Sequence, residues 1–251
     1  IYTYFDGTAW QTTLERWHSG VNYVSLELDS DNNPHISYYV TVSQLVLYTY
    51  FDGSQWQDKQ VTPNQQSAGH FATLALTEGG TPMVAFYYPS QSELSIAKLV
   101  DDAFVITTVE EAAISTDAFS HISMQLDAED HPHLAYCTGG FVGDCNDLHY
   151  AAFDGSTWTI ETVDAAQGSL GAGYYASLAL DSAGMGHISY QVENTALQYA
   201  VETADGWDRH QVLNGNVGQY SALALDNSDQ PHIAFYNAAT ENMSYAFWDG
   251  A

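Results

Sequence analysis

Basic side chains are nearly missing from this chain: Arg16, Lys59, Lys98 and Arg209 stand against 31 acidic residues, for a formal charge of −27. A polyanion approaching such a surface meets repulsion and releases no counterions, so nucleic acid is excluded as a partner. No apolar run approaches the roughly 20 residues of a membrane-spanning helix, so membrane insertion by a helix is not expected. The N-terminus has none of the segments of a signal peptide, and because Ile1 falls inside a repeat, any leader is expected to have been removed already. Cysteine is limited to Cys137 and Cys145. Two cysteines with one nearby histidine, His149, fall short of the usual four-ligand metal set. They bracket the glycine-rich stretch 138–144, which a local disulfide would close, and such a bond predicts a secreted or cell-surface protein.

What is plentiful is aromatic. The chain holds 18 Tyr among 251 residues and is 45% hydrophobic, a composition that suits strands and sheet packing. The aromatics recur in register. Tyr2-Thr-Tyr-Phe-Asp-Gly-Thr-Ala-Trp10 returns as Tyr48 to Trp56 and as Tyr150 to Trp158, with degenerate copies at Ile96 to Phe104 and Tyr199 to Trp207. A shortened copy reads Tyr245 to Gly250. The aligned positions 2, 48, 96, 150, 199 and 245 are spaced by 46, 48, 54, 49 and 46 residues, and the longest interval contains the two cysteines.

A second phrase lies between these copies. Ser25-Leu-Glu-Leu-Asp29 is followed by Pro34-His-Ile-Ser-Tyr38, and the pattern recurs at 123–136, 177–190 and 222–236. The copy at 73–77 keeps the pattern but carries Met83 where the others have His35, His133, His187 and His232. Each unit therefore holds four short strand-like runs separated by Asp, Asn, Gly and Pro, the signature of consecutive antiparallel hairpins. Strand a is the Ser-Leu-x-Leu run and strand b the Pro-His-Ile-Ser-Tyr run. Strand c is the Tyr-x-x-Phe run, and strand d starts at Trp.

Four strands per unit predict an all-β protein, a β-propeller of four-stranded antiparallel blades forming one domain over 1–251. The units run approximately over 1–46, 47–93, 94–147, 148–196 and 197–242, with a partial sixth at 243–251. Small residues on one face of the inner strands and bulky ones on the other would let successive blades interdigitate. Five blades are expected, the fifth assembled from both termini. The alternative is a piece of a six- or seven-bladed propeller, because strand c is represented at both ends.

At Phe5-Asp-Gly-Thr-Ala-Trp10 and its copies the sequence resembles the Asp-box repeats of sialidase-type propellers and the Trp-Asp-Gly hairpins of the Aleuria-type fucose-binding lectins. The resemblance implies the propeller fold and points toward carbohydrate. Sialidases grip a carboxylate with an arginine cluster, however, and only Arg16 and Arg209 occur here, at unrelated repeat positions. No repeated Arg is present to carry the lectins' fucose site either.

The repeated histidines read as a structural hydrogen-bond network. The entry to strand a places Tyr23, Phe71, His121, Tyr175 and Tyr220 at equivalent positions, an aromatic ring around the channel mouth and the expected ligand-binding set. The a–b hairpins collect Asp29 and Asp31, then Asp127, Glu129 and Asp130, then Asp226 and Asp229. These could serve calcium or simply form turns, and no other cofactor is expected. No catalytic residue is assigned. The leading expectation is a non-enzymatic extracellular recognition or scaffold module with a glycan or protein partner. A carbohydrate-active enzyme, a polysaccharide lyase or glycoside hydrolase using an irregular histidine such as His18, His70, His121 or His131, is the second. A structural subunit of a surface assembly is the third.

Overall fold

The computed structural model describes residues 1–14, 19–63, 69–89, 91–111, 121–139, 145–165 and 170–248. Arg16 and His18 lie outside them. All regular structure among the described residues is β, arranged as six antiparallel sheets. The first is a pair, β1 (Tyr2–Phe5) and β2 (Trp10–Leu14). Blade 1 follows as β3 (Val21–Leu28), β4 (Pro34–Val40), β5 (Leu45–Phe51) and β6 (Trp56–Gln60). Blade 2 is β7 (His70–Leu76), β8 (Pro82–Tyr88), β9 (Glu93–Val100) and β10 (Ala103–Glu111). Blade 3 is β11 (Ile122–Leu126), β12 (Pro132–Gly139), β13 (Cys145–Phe153) and β14 (Trp158–Asp164). Blade 4 is β15 (Ala172–Leu180), β16 (Gly186–Val192), β17 (Ala196–Thr203) and β18 (Gly206–Asn214). The last sheet has three strands, β19 (Val217–Leu225), β20 (Pro231–Asn237) and β21 (Asn242–Phe247).

Within each blade the strands pair in sequence order, a–b–c–d, as the repeat predicts. The termini behave differently from the expected shared fifth blade. The pair β1–β2 and the trio β19–β20–β21 remain separate sheets, because each already contains a c strand and one blade has room for only one.

The c–d hairpins show why Asp-Gly recurs. Asp52 accepts from the backbone N–H groups of Ser54 and Gln55 at 2.9 and 2.8 Å, from the Ser54 hydroxyl at 2.7 Å and from Gln57 Nε2 at 2.7 Å. Asp6 and Asp154 bond their own turns in the same way. Gly7, Gly53 and Gly155 follow with φ of 95°, 88° and 90°, a conformation that a Cβ would oppose. These bonds hold all three carboxyls far below the usual carboxylate range. A group depressed in this way stabilises the fold above its unfolded pKa and loses that contribution progressively as pH falls from there through the depressed folded value, while in the folded chain the carboxylate stays ionised and bonded until that lower value is reached. We therefore expect the Ser54 and Gln55 amides to stay protected from hydrogen exchange at pH 3. Asn at position 52 should lose the protection of the Ser54 hydroxyl network and the acid dependence together, and exchange of the wild-type amides that accelerates already at pH 4 would contradict the assignment.

Successive blades join through the predicted contact of small on bulky faces. Val46 and Tyr48 of blade 1 pack in one core with Ala72, Leu74, Val84 and Phe86 of blade 2. Leu94 and Ile96 meet Ile122, Met124, Leu134 and Tyr136, and Leu148 and Tyr150 meet Ala176, Leu178, Ile188 and Tyr190. The strand-a serine supplies a polar stitch: Ser25, Ser123 and Ser177 Oγ accept from the Leu74, Leu178 and Leu223 N–H at 3.1, 2.9 and 3.0 Å.

A second stitch varies in concert across the joint. Tyr136 donates to Glu110 at 2.5 Å, and Tyr190 to Asp164 at 2.8 Å. The register places Leu213 where Glu110 and Asp164 stand in their own blades. There the facing residue is Phe235, and at the blade 1–2 joint, where Thr62 bonds the Val46 N–H, the facing residue is Phe86. At these four joints the strand-b hydroxyl is present where a carboxylate faces it and absent where none does. The expected disulfide forms: Cys137 and Cys145, with Cα atoms 5.4 Å apart, link β12 to β13 and lie buried beside Tyr174 and Tyr175.

Candidate functional site

Four blades carry the same internal relay. His133 Nδ1 meets the Tyr150 hydroxyl at 2.5 Å and its Nε2 faces Asp127 at 3.4 Å. His187 bonds Tyr199 at 2.5 Å and faces Asp181 at 3.5 Å. His35 joins Tyr48 and Asp29, and His232 joins Tyr245 and Asp226. The Asp at the end of strand a, the His at the start of strand b and the Tyr on strand c thus fasten three strands together. An Asp–His–Tyr chain has the composition of a catalytic relay, but His35 and Tyr48 are buried within their blade and the set recurs. The repeated hydrogen-bond network that the histidine pattern led us to expect is present.

Burial holds the His35 imidazole below its ordinary value, with Asp29 opposing. A free imidazole takes up its proton near ~6.5, so below that pH the unfolded chain binds the proton before the folded one and stability falls. The urea midpoint is expected to drop between pH 7 and pH 6 with a slope that becomes shallower in His35→Met. An unchanged slope would contradict the assignment.

Blade 2 lacks the relay as a set. Thr77, Met83 and Ile96 stand where the other blades have Asp, His and Tyr. This replacement shapes the surface. At three other joints the strand-c Tyr reaches across to an aromatic on strand d of the next blade: Tyr2 to Trp56 at 5.6 Å, Tyr48 to Phe104 at 5.7 Å and Tyr150 to Trp207 at 4.9 Å between ring centroids. Ile96 is too short to fill that space against Trp158. The joint of blades 2 and 3 holds a groove of about 750 Å³, against ≈ 490 Å³ at blades 1 and 2 and ≈ 380 Å³ at blades 4 and 5. Its volume falls in the range of small-ligand sites.

The groove has an apolar floor of Met83, Ile96, Val100 and Val105. One wall is aromatic: Trp158 packs on Phe153 at 5.1 Å, and Phe153 meets the edge of His131 at 6.0 Å. The rim is polar, with Lys98, Thr107, Thr108, Glu129 and Asp130. Asp130 is fixed across the joint by accepting from the Glu78 N–H at 2.7 Å. His131 is drawn toward Asp127 at 3.5 Å, leaving its ring edge to the groove. An apolar floor, a flat indole and converging donors and acceptors match the two faces of a sugar ring, one of C–H bonds and one of hydroxyls.

The channel-mouth aromatics come together as the sequence predicts. Tyr23 touches Phe71 at 4.5 Å, Phe71 touches His121 at 6.0 Å, His121 touches Tyr175 at 5.1 Å and Tyr175 touches Tyr220 at 4.6 Å. Tyr23, Phe71, Tyr175 and Tyr220 sit in bulges of strand a with φ of 53° to 57°, a conformation rare for aromatic residues. The bulge turns each ring onto its neighbour. Phe71 and Tyr175 are buried, Tyr23 and His121 half-buried, and Tyr220 is 65% exposed. The arc is chiefly a packed layer with an accessible end at Tyr220.

Asp29, Asp127 and Asp226 turn their carboxylates into their own hairpins, each accepting two backbone N–H bonds at 2.7 to 3.0 Å. Those oxygens shape turns. The groove residues Met83, Ile96 and Trp158 were visible in the sequence as repeat positions. What could have marked them as a site is the joint loss of His and Tyr in a single blade.

No protein-family model matches the chain, and no curated protein matches it in sequence. Solved structures do. A protein of unknown function from Dyadobacter fermentans aligns over 96% of this chain and 80% of its own at 12% identity and a TM-score of 0.60. The GH93 α-L-arabinofuranosidase of Fusarium graminearum, solved with arabinobiose, aligns over 91% and 80% at 13% identity and a TM-score of 0.57. An Aleuria aurantia lectin, solved as a mutant with Fucα1-6GlcNAc, aligns over 91% and 78% at 14% identity and a TM-score of 0.52. At such identities the likeness is one of fold, and it bears out the propeller architecture.

Proposed function

We propose that this chain is a single-domain, extracellular carbohydrate-recognition module that binds a glycan without transforming it, in the groove between blades 2 and 3. The observation that carries the reading is the replacement of the relay Tyr by Ile96 in a groove lined by the half-buried Trp158 and Phe153 beside a polar rim. Structures of this fold hold fucose- and arabinose-containing sugars, which supports carbohydrate as the ligand class. The buried disulfide supports a secreted or surface location. Among the described residues, four of the six histidines that lie against a carboxylate, His35, His133, His187 and His232, belong to the repeated relay, which favours recognition over acid–base chemistry.

The test is a glycan screen, with and without calcium, on wild type, on Met83→His with Ile96→Tyr, and on Tyr220→Ala. The double variant puts two of the three relay residues of the other blades, His and Tyr, at two buried positions that line the groove. Saturable binding lost in the double variant and kept in Tyr220→Ala is the expected result. Binding lost only in Tyr220→Ala would move the site to the channel mouth, and release of sugar from an oligosaccharide during the assay would replace recognition by hydrolysis.

A further inference from the structure

The two ends of the blade array expose surfaces that are buried or half-buried at the internal joints. Val46, Leu94, Leu148 and Leu197 are fully buried at the same strand-c position, yet Met243, their equivalent on β21, is 76% exposed. Tyr245 and Phe247 on the same strand are also exposed. At the other end, Leu74, Met124 and Leu178 are buried on strand a, while Leu26 is 49% exposed together with Val24 and Leu28. Hydrogen-bonding edges are open as well. Among the described residues, β1 pairs with β2 on one side only and β21 with β20 on one side only.

These four features specify one occupant. A d strand would pair the open edge of β21. A b strand would pair the open edge of β1, as β4 pairs β5. Its a–b hairpin would cover Met243 and Tyr245 with its bulky face and Leu26 with its small face, repeating the joints already described. A strand-a serine in that hairpin would accept from the Leu26 N–H as Ser25 does from Leu74. We infer that the array closes on a d–a–b segment of this same repeat, so that β1–β2 becomes the outer half of a sixth blade. Exposed apolar faces of this extent are otherwise an association hazard, and open strand edges add to it.

The segment Gly206–Asn237 of this chain has the required d–a–b order and serves as the probe. Added as a synthetic peptide to the 251-residue protein, it is expected to bind one-to-one and to raise the thermal midpoint. Leu26→Asp and Met243→Asp, at opposite ends, should each weaken it at least tenfold while leaving the circular dichroism of the protein alone unchanged. A reordered peptide with the a–b hairpin before the d strand should bind at least tenfold more weakly. Absence of binding, two peptides per chain, loss of binding in only one of the variants, or concentration-dependent pairing of the protein with itself through Met243 would each overturn the inference.

Discussion

His35→Met is expected to lower stability by about 2–3 kcal/mol, because it strands the buried Tyr48 hydroxyl without its partner. In a Tyr48→Phe background, where no hydroxyl needs a partner, the same change should cost less than about 1 kcal/mol. The difference between those two costs is the coupling of the relay, and urea denaturation of the four proteins measures it. The chain contains a natural version of the experiment. Blade 2 has lost Asp, His and Tyr together and forms the same four-stranded sheet with Thr77, Met83 and Ile96. Additive costs, with no coupling, would make the relay a coincidence of packing.

The second large effect separates buried from open copies of one position. Leu148→Ala removes atoms from the joint of blades 3 and 4, where Leu148 packs with Tyr150, Leu178 and Ile188, and should cost about 3–5 kcal/mol. Met243→Ala, at the equivalent site on β21, should change stability by less than about 0.5 kcal/mol, because solvent already reaches the side chain. Both variants can be compared by thermal denaturation of the same preparation. Equal losses would mean that β21 is covered in solution.

Much of the blade architecture was legible because two local signals agree at most units. The Asp-Gly dipeptide fixes a c–d turn by side-chain bonds that span only a few residues, so Asp6, Asp52 and Asp154 declare themselves in sequence. The small-against-bulky alternation of strands a and b is likewise a period-two pattern. The state of the termini was harder to read. Whether Tyr2 and Tyr245 share a blade depends on pairing between residues at opposite ends of the chain, and no local pattern encodes that. The cysteines were legible because their separation of eight residues makes the pairing local.

The site was legible only in part. Tyr23, Phe71, His121, Tyr175 and Tyr220 were correctly grouped, since equivalence in a repeat implies proximity around an axis. Their burial was not visible, because it follows from the bulge that swings each ring onto the next blade. The groove was missed for the opposite reason. Met83 and Ile96 look like ordinary core residues in strands, and their consequence appears only when Trp158 of another blade is found opposite an absent tyrosine.

The central claim is that a sugar occupies this groove against Trp158. Its most direct test follows the indole N–H signals of the six tryptophans by NMR while fucose- and arabinose-containing oligosaccharides are titrated in. Saturable movement of the Trp158 signal, abolished by Met83→His with Ile96→Tyr, is the predicted result. A Trp158 signal that stays fixed while a sugar binds, or that responds equally in the double variant, would contradict it.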